Sequence, residues 1–183
     1  MILFLTERSV QVDSKLIIKR RANKQMLIFV DMRAIIEESK NNFLISTDTS
    51  KLDVTSIHQY LSAESYWAQG IPINIVKQSI TNSLCFGVYE NTKQIGFARM
   101  ISDFATFAYL ADVYILSNYR GQGLSKWLMQ FIMKHPDMQG LRRYMLATKD
   151  AHGLYAQFGF IQIPNPETLM QLRIENCYLK INS

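Results

Sequence analysis

The feature that most restricts the fold is a junction near residue 120. A nearly unbroken apolar run, Phe107-Ala108-Tyr109-Leu110-Ala111 and Val113-Tyr114-Ile115-Leu116, is followed after Ser117-Asn118 by Tyr119-Arg120-Gly121-Gln122-Gly123-Leu124. From there Leu124, Trp127, Leu128, Phe131 and Ile132 recur at i, i+3, i+4, i+7 and i+8, the stripe of an amphipathic helix. A run this apolar reads as a central strand covered on both faces. The chain must therefore build a layered domain in which helices lie on a sheet. Asp112 alone interrupts the run.

Strand and helix signals alternate on both sides of the junction. Phe43–Ser46 reads as a short strand, and 53–65 as a helix with Asp53 as its cap and Ile57, Tyr60, Leu61 and Glu64 at helical spacing. A break at Gly70-Ile71-Pro72 precedes a shorter helix over 73–81. The segments 84–89 and 94–102 form a hairpin around Glu90-Asn91-Thr92-Lys93. His135-Pro136 stops the long helix. A strand over 143–147 follows, then a helix capped by Thr148 or Asp150 that runs through Phe158 to Gly159. The segments 160–163 and 169–174, around Pro164-Asn165-Pro166, are expected as strand, turn and strand. The expected fold class is α/β in the layered α+β sense, a mixed sheet flanked by helices, in a domain spanning 42–183.

Residues 1–41 are expected to form an N-terminal extension. They contain a short apolar start, a basic stretch from Lys15 to Lys24, and a helix over 23–40 whose Ile28, Met32, Ile35 and Ile36 make one stripe. That stripe packs on the main domain or on a second copy of the chain, so a homodimer is one expected assembly.

Composition removes several functional classes. At 183 residues and 48% hydrophobic, the chain is long enough for one domain with a real core, and 19% charge is far from a disordered profile. Cys85 and Cys177 show no CxxC spacing, which argues against a metal site or a disulfide framework. The opening Met1-Ile2-Leu3-Phe4-Leu5 is too short for a membrane span, so a cytoplasmic location without membrane contact is expected. A formal charge of +5 suits an anionic ligand. Nucleic acid is not the expected partner, because Lys19-Arg20-Arg21 has no interleaved aromatics.

The chemistry is concentrated after the central strand. Gly121 and Gly123 let successive backbone N–H groups turn toward one point, and the following helix N-terminus favours an oxyanion there. Arg120 adds a positive charge and a donor fork. A P-loop is excluded, since GxxxxGK[ST] is not met, and a dinucleotide fingerprint fails for want of a third glycine.

The loop with its preceding strand and following helix resembles motif A of the Gcn5-related N-acetyltransferases, in which Gln or Arg, two residues, Gly, one residue and Gly or Ala follow in order. Asn118 departs from the first position, while Gly121 and Gly123 match. Downstream, Ala147-Thr148-Lys149-Asp150-Ala151-His152-Gly153-Leu154-Tyr155-Ala156-Gln157-Phe158-Gly159-Phe160 resembles motif B of the same family. Element order is similar over 42–174, and residues 1–41 lie outside the likeness.

That resemblance implies acetyl-CoA as co-substrate, held where two parallel strands splay apart, with no metal. It places the backbone of Val113, Tyr114 and Ile115 on the pantetheine arm. The amides of Arg120, Gly121, Gln122, Gly123, Leu124 and Ser125 fall on the pyrophosphate, and Asp150 near the pantetheine. A primary amine, carried by a small molecule or a peptide, attacks the thioester, and Tyr155 matches the family position of the acid that protonates the departing thiolate. Asp112 is the candidate base, because a carboxylate in an apolar strand is costly unless it is functional or paired. Asp103 and His152 are lesser candidates. Tyr66 and Trp67 stand where the family forms one wall of the acceptor pocket and can stack on an acceptor. Two alternatives remain at this point: a non-catalytic acyl-CoA-binding module, and a nucleic-acid-associated protein that uses the basic N-terminal stretch.

Overall fold

The computed structural model describes residues 33–174 and 177–178. The basic stretch and most of the expected 23–40 helix lie outside them. The chain divides after Ile35, and the unit from Ile36 to Ser183 carries every described element.

Six strands make one sheet in the order β1-β2-β3-β4-β5-β6. They are β1 (Glu37–Lys40), β2 (Phe43–Ser46), β3 (Leu84–Glu90), β4 (Lys93–Ser102), β5 (Phe107–Ile115) and β6 (Arg143–Met145). All neighbours are antiparallel except β5 and β6, which run parallel. Helix α1 (Val54–Gln59) continues as a π turn over Tyr60–Glu64, and α2 (Ile73–Thr81), α3 (Leu124–Lys134) and the short α4 (His152–Ala156) complete the set. This is the mixed sheet with flanking helices expected from the alternation.

Local chemistry accounts for the element boundaries. Asp53 caps α1 by accepting from the Ser56 amide at 3.0 Å. Asn91 turns the β3–β4 hairpin at φ 52°, a left-handed value that asparagine tolerates. Neither Thr148 nor Asp150 caps α4, whose N-cap is Ala151 without a side-chain hydrogen bond; Thr148 Oγ1 instead accepts from the Ala151 amide at 3.0 Å in the turn before the helix, and Gly159 follows α4 at φ 83°.

The sheet separates two cores. Leu84, Phe86 and Val88 of β3 and Ala98 and Met100 of β4 face α3, whereas Cys85 and Phe97 face α1 and α2. On β5, Ala108 and Leu110 point to the α3 side, but so does Ile115, while Tyr114 points to the other. A strict period of two cannot do this, so one extra residue lies between them. The register agrees: Arg99 pairs with Ala111 and Phe97 with Tyr114, two steps on β4 against three on β5. Asp112, at φ 54°, lies in this β-bulge.

Two expectations fail. The last residues of the 23–40 helix are instead the edge strand β1, all four of them exposed. Backbone pairing to β2 and polar anchors hold it: Glu37 accepts from Ser46 Oγ at 2.6 Å and Lys51 Nζ at 2.5 Å, and Glu38 accepts from the Trp127 indole. The strands expected over 160–163 and 169–174 are absent among the described residues, where only a 3-10 turn at Pro166–Thr168 interrupts irregular chain. Pro164 and Pro166 lack N–H donors, and β6 offers only three residues to pair with. Met170 and Leu172 are consequently 98% and 92% exposed.

Candidate active site

The parallel pair creates the cleft. β6 meets β5 at Phe107↔Arg143, Ala108↔Tyr144 and Tyr109↔Met145, after which β5 runs on to Ile115 with no strand on that edge among the described residues. Into the gap opens a cleft of about 650 Å³. Leu110, Ala111, Asp112 and Val113 line one side, and the chain from Leu146 to Ala151 lines the other. Tyr66, Trp67, Asp150 and Tyr155 also face it. Six of the residues expected at the site therefore share one cavity.

Tyr155 is set by α4. Its ring belongs to the α3-side core and meets Phe160 edge-on at 6.0 Å, which orients the side chain. The hydroxyl makes no hydrogen bond among the described residues. Burial, and then the nearby Tyr66 and Asp150, push its pKa up to about 12, so it stays protonated through the physiological range. A protonated, unengaged phenol is a proton donor in waiting.

Asp112 is engaged at both oxygens. Oδ2 accepts from Arg99 Nε at 2.5 Å, and Oδ1 accepts from the Trp67 indole Nε1 at 3.1 Å. With side-chain exposures of 16% for Arg99 and 9% for Asp112, the ion pair is well shielded from water. Next to it, Tyr66 meets Trp67 edge-on at 4.9 Å and accepts the Lys149 amide on its hydroxyl at 2.9 Å. The expected acceptor wall thus reaches across the cleft to the β6–α4 loop.

The glycine loop is at the C-terminal end of β5 and outside this cleft lining. Gly121 and Gly123 both take φ 77°, and a Cβ on either would touch nothing within 4 Å. Glycine is required there by backbone conformation, while the surrounding space is open to a ligand. The amides of Gly121, Gln122 and Gly123 have no acceptor among the described residues, and Leu124 and Ser125 open the 11-residue α3, where first-turn amides have no helical partner. Arg120 differs from its expected part. Its amide donates to Ser117 O at 3.2 Å, its Nε to Ile115 O at 3.0 Å and its Nη2 to Tyr60 Oη at 3.2 Å. The guanidinium is folded back as a latch, because the strand end leaves a carbonyl to satisfy and Tyr60, stacked on Tyr114 at 3.7 Å, presents its hydroxyl. On β5, Tyr114 and Ile115 turn their side chains into the two cores, so only their backbone faces a ligand.

Asp103 and His152 do not line the cleft. Asp103 closes the β4–β5 turn through Thr106 Oγ1 and the amides of Ala105, Thr106 and Phe107, which hold its carboxyl far below the usual range. Arg99, Tyr109, Lys149, Gln171, Arg173 and Tyr178 line the cleft without having been singled out by sequence. For Arg99 there was a signal: a cation within an apolar strand, opposite in sign to Asp112 on the next apolar run.

A sheet opened between parallel strands beside a glycine-rich helix N-terminus suits an extended, phosphate-bearing ligand. The acetyltransferase (GNAT) family model matches residues 54–160. A Gibberella zeae protein provisionally named an acetyltransferase is 33% identical over 141 residues, 65% of this chain and 78% of that one. The uncharacterized N-acetyltransferase ycf52 of Gracilaria tenuistipitata var. liui is 30% identical over 75% of this chain and 91% of its own. A GNAT-family crystal structure from Xanthomonas campestris pv. campestris is 49% identical, covering 76% of this chain and 99% of that one, with a TM-score of 0.73. The chain belongs to the GNAT acetyltransferase family. Acetyl-CoA is the general donor of that family, and a structural neighbour from Clostridium acetobutylicum, 15% identical with a TM-score of 0.55, was crystallised with it. No described helix is long and apolar enough to cross a membrane.

Proposed function

We propose that this chain transfers the acetyl group of acetyl-CoA to a primary amine within the β5–β6 cleft, in a domain that begins at β1, in the cytoplasm. The observation that carries the reading is the edge of β5 that no described strand pairs beyond Tyr109, faced by a protonated Tyr155 whose hydroxyl has no hydrogen bond among the described residues. Free amides at Gly121, Gln122 and Gly123, with the start of α3, support binding of the pyrophosphate there, and the open β5 edge supports the pantetheine along Val113 to Ile115.

In this scheme the neutral amine nitrogen attacks the thioester carbonyl. Charge builds on the carbonyl oxygen, where strand N–H groups can stabilise it. As the carbon–sulfur bond breaks, Tyr155 gives its proton to the thiolate, and the proton lost from the amine passes to water at the cleft mouth. Asp112 has no oxygen left to accept a proton from the amine in this arrangement, since Arg99 and Trp67 occupy both. Its proposed role is structural support of the acceptor wall.

Thiol release from acetyl-CoA over phenethylamine, tryptamine, spermidine, kanamycin and a lysine peptide tests the proposal. Turnover with at least one amine is expected. Acetyl-CoA binding without turnover on any of them would favour a non-catalytic acyl-CoA-binding module, and absence of binding would exclude both.

A further inference from the structure

Asp112 combines two features that are each uncommon for a strand residue. Its backbone is left-handed at φ 54°, and its carboxylate is shielded from solvent within the β5 bulge. Both need compensation from neighbours. Arg99 supplies it from the adjacent strand. One edge of its guanidinium donates Nε to Asp112 Oδ2 at 2.5 Å, while Nη1 donates to Ser83 Oγ at 3.2 Å, so the fork is fixed at two points. The second oxygen of Asp112 then holds Trp67, a residue 45 positions earlier in the chain.

Trp67 lies on the segment between the π turn and α2, where regular structure does not restrain it. It is 41% exposed, so packing alone does not determine its ring position. The indole hydrogen bond to Asp112 and the tether from Tyr66 to the Lys149 amide are the side-chain ties that join this segment to the two walls of the cleft. Removing Arg99 would leave Oδ2 of Asp112 without its shielded partner and the side chain free to turn toward water, which alters what Trp67 is bonded to.

We infer that Arg99 is a positioning residue for the acceptor: through Asp112 it fixes Trp67 as a wall of the amine site, leaving the donor site untouched. The inference deepens the proposed amine acetylation and rests on it. The chain reaches this arrangement only because the bulge turns Asp112 toward the cleft while its neighbour Tyr114 remains in the α1–α2 core.

The test uses full-length protein carrying 5-fluorotryptophan, which labels Trp67 and Trp127, the only two tryptophans. The Trp67 signal is assigned by its loss in Trp67→Phe. In Arg99→Gln that signal is expected to shift and broaden while the signal of Trp127 stays in place. With the best amine of the panel above, KM for the amine is expected to rise about tenfold, with KM for acetyl-CoA within about twofold of wild type, as displacement of a positioning group predicts. Arg99→Lys keeps the charge but not the two-point fork, and should recover part of the amine KM. An unmoved Trp67 signal in Arg99→Gln overturns the inference, as does an equal rise in both KM values. A fall in kcat at unchanged amine KM would also overturn it, because Asp112 would then act in the chemistry. If no amine is turned over, the proposed reaction fails, and the fluorine signal still decides whether Arg99 holds Trp67.

Discussion

The two sides of the cleft are built by different means. The proposed donor side is backbone: the β5 edge along the cleft, which no described strand pairs beyond Tyr109, and outside the cleft lining two glycines at φ 77° and the first turn of α3. The proposed acceptor side is a set of side chains from distant segments, Trp67 on Asp112 on Arg99 and Tyr66 on the Lys149 amide. A backbone site asks only that certain residues be glycine and that a helix follow. A side-chain site asks that particular partners meet in three dimensions, so it is free to differ between relatives that share the donor. The difference suits a family that shares one general donor, acetyl-CoA.

Tyr155 stands between the two sides, and its removal should have the largest effect. Tyr155→Phe keeps the ring packing on Phe160 but lacks the proton, so kcat should fall about 100-fold with acetyl-CoA affinity unchanged in a binding titration. An unchanged kcat would transfer the acid role to water. A smaller effect is expected at the latch of the glycine loop. Tyr60→Phe removes the acceptor of Arg120 Nη2, a loss of about 1 kcal/mol or less, and should weaken acetyl-CoA binding a few-fold while leaving the amine KM alone.

The pH response separates site from scaffold. Burial raises Cys85 and Tyr155 to about 12 and lifts Tyr89 and Tyr114 further above the tyrosine value. The folded state therefore holds protons that the unfolded chain releases once pH passes the ordinary thiol and phenol values. This stabilisation is complete below those values and is lost as pH rises through the folded ones. Thermal midpoints measured between about pH 8 and 11 should fall at the alkaline end, and kcat should show no falling limb from Tyr155 in the neutral range. The smallest effect lies in the scaffold. The Tyr89 hydroxyl is buried against Gly87 and has no hydrogen-bond partner among the described residues, so Tyr89→Phe should raise stability by about 1 kcal/mol in denaturant unfolding and leave both KM values unchanged.

The elements of the proposed donor side were legible in sequence because their signals are local. The run Phe107 to Leu116, the glycines and the α3 stripe are local signals, and local signals fix a strand, a loop and a helix in order. For Arg120 the sequence announces a charge beside the loop but not its contacts, since the Tyr60 hydroxyl that receives Nη2 is distant in sequence. The bulge was invisible, since one extra residue in an apolar run leaves the run apolar. Arg99 was overlooked because its partner Asp112 depends on that bulge. Toward the ends, the expected 23–40 helix gives way at Glu37–Lys40 to an exposed polar strand, and apolar residues over 169–174 resembled a strand where no described strand stands to pair with them. Periodicity reports what a segment can form, and pairing decides what it does form.

The division between the two sides can be tested most directly by titrating acetyl-CoA into three proteins: wild type, Gly123→Val and Arg99→Gln. Valine at φ 77° strains the loop by about 1–2 kcal/mol and places a side chain in the open space beside it, so affinity should fall at least about tenfold. Arg99→Gln should bind acetyl-CoA as wild type does. Equal binding by all three, or loss of binding in Arg99→Gln with Gly123→Val unaffected, would contradict a donor site made of backbone and an acceptor site made of side chains.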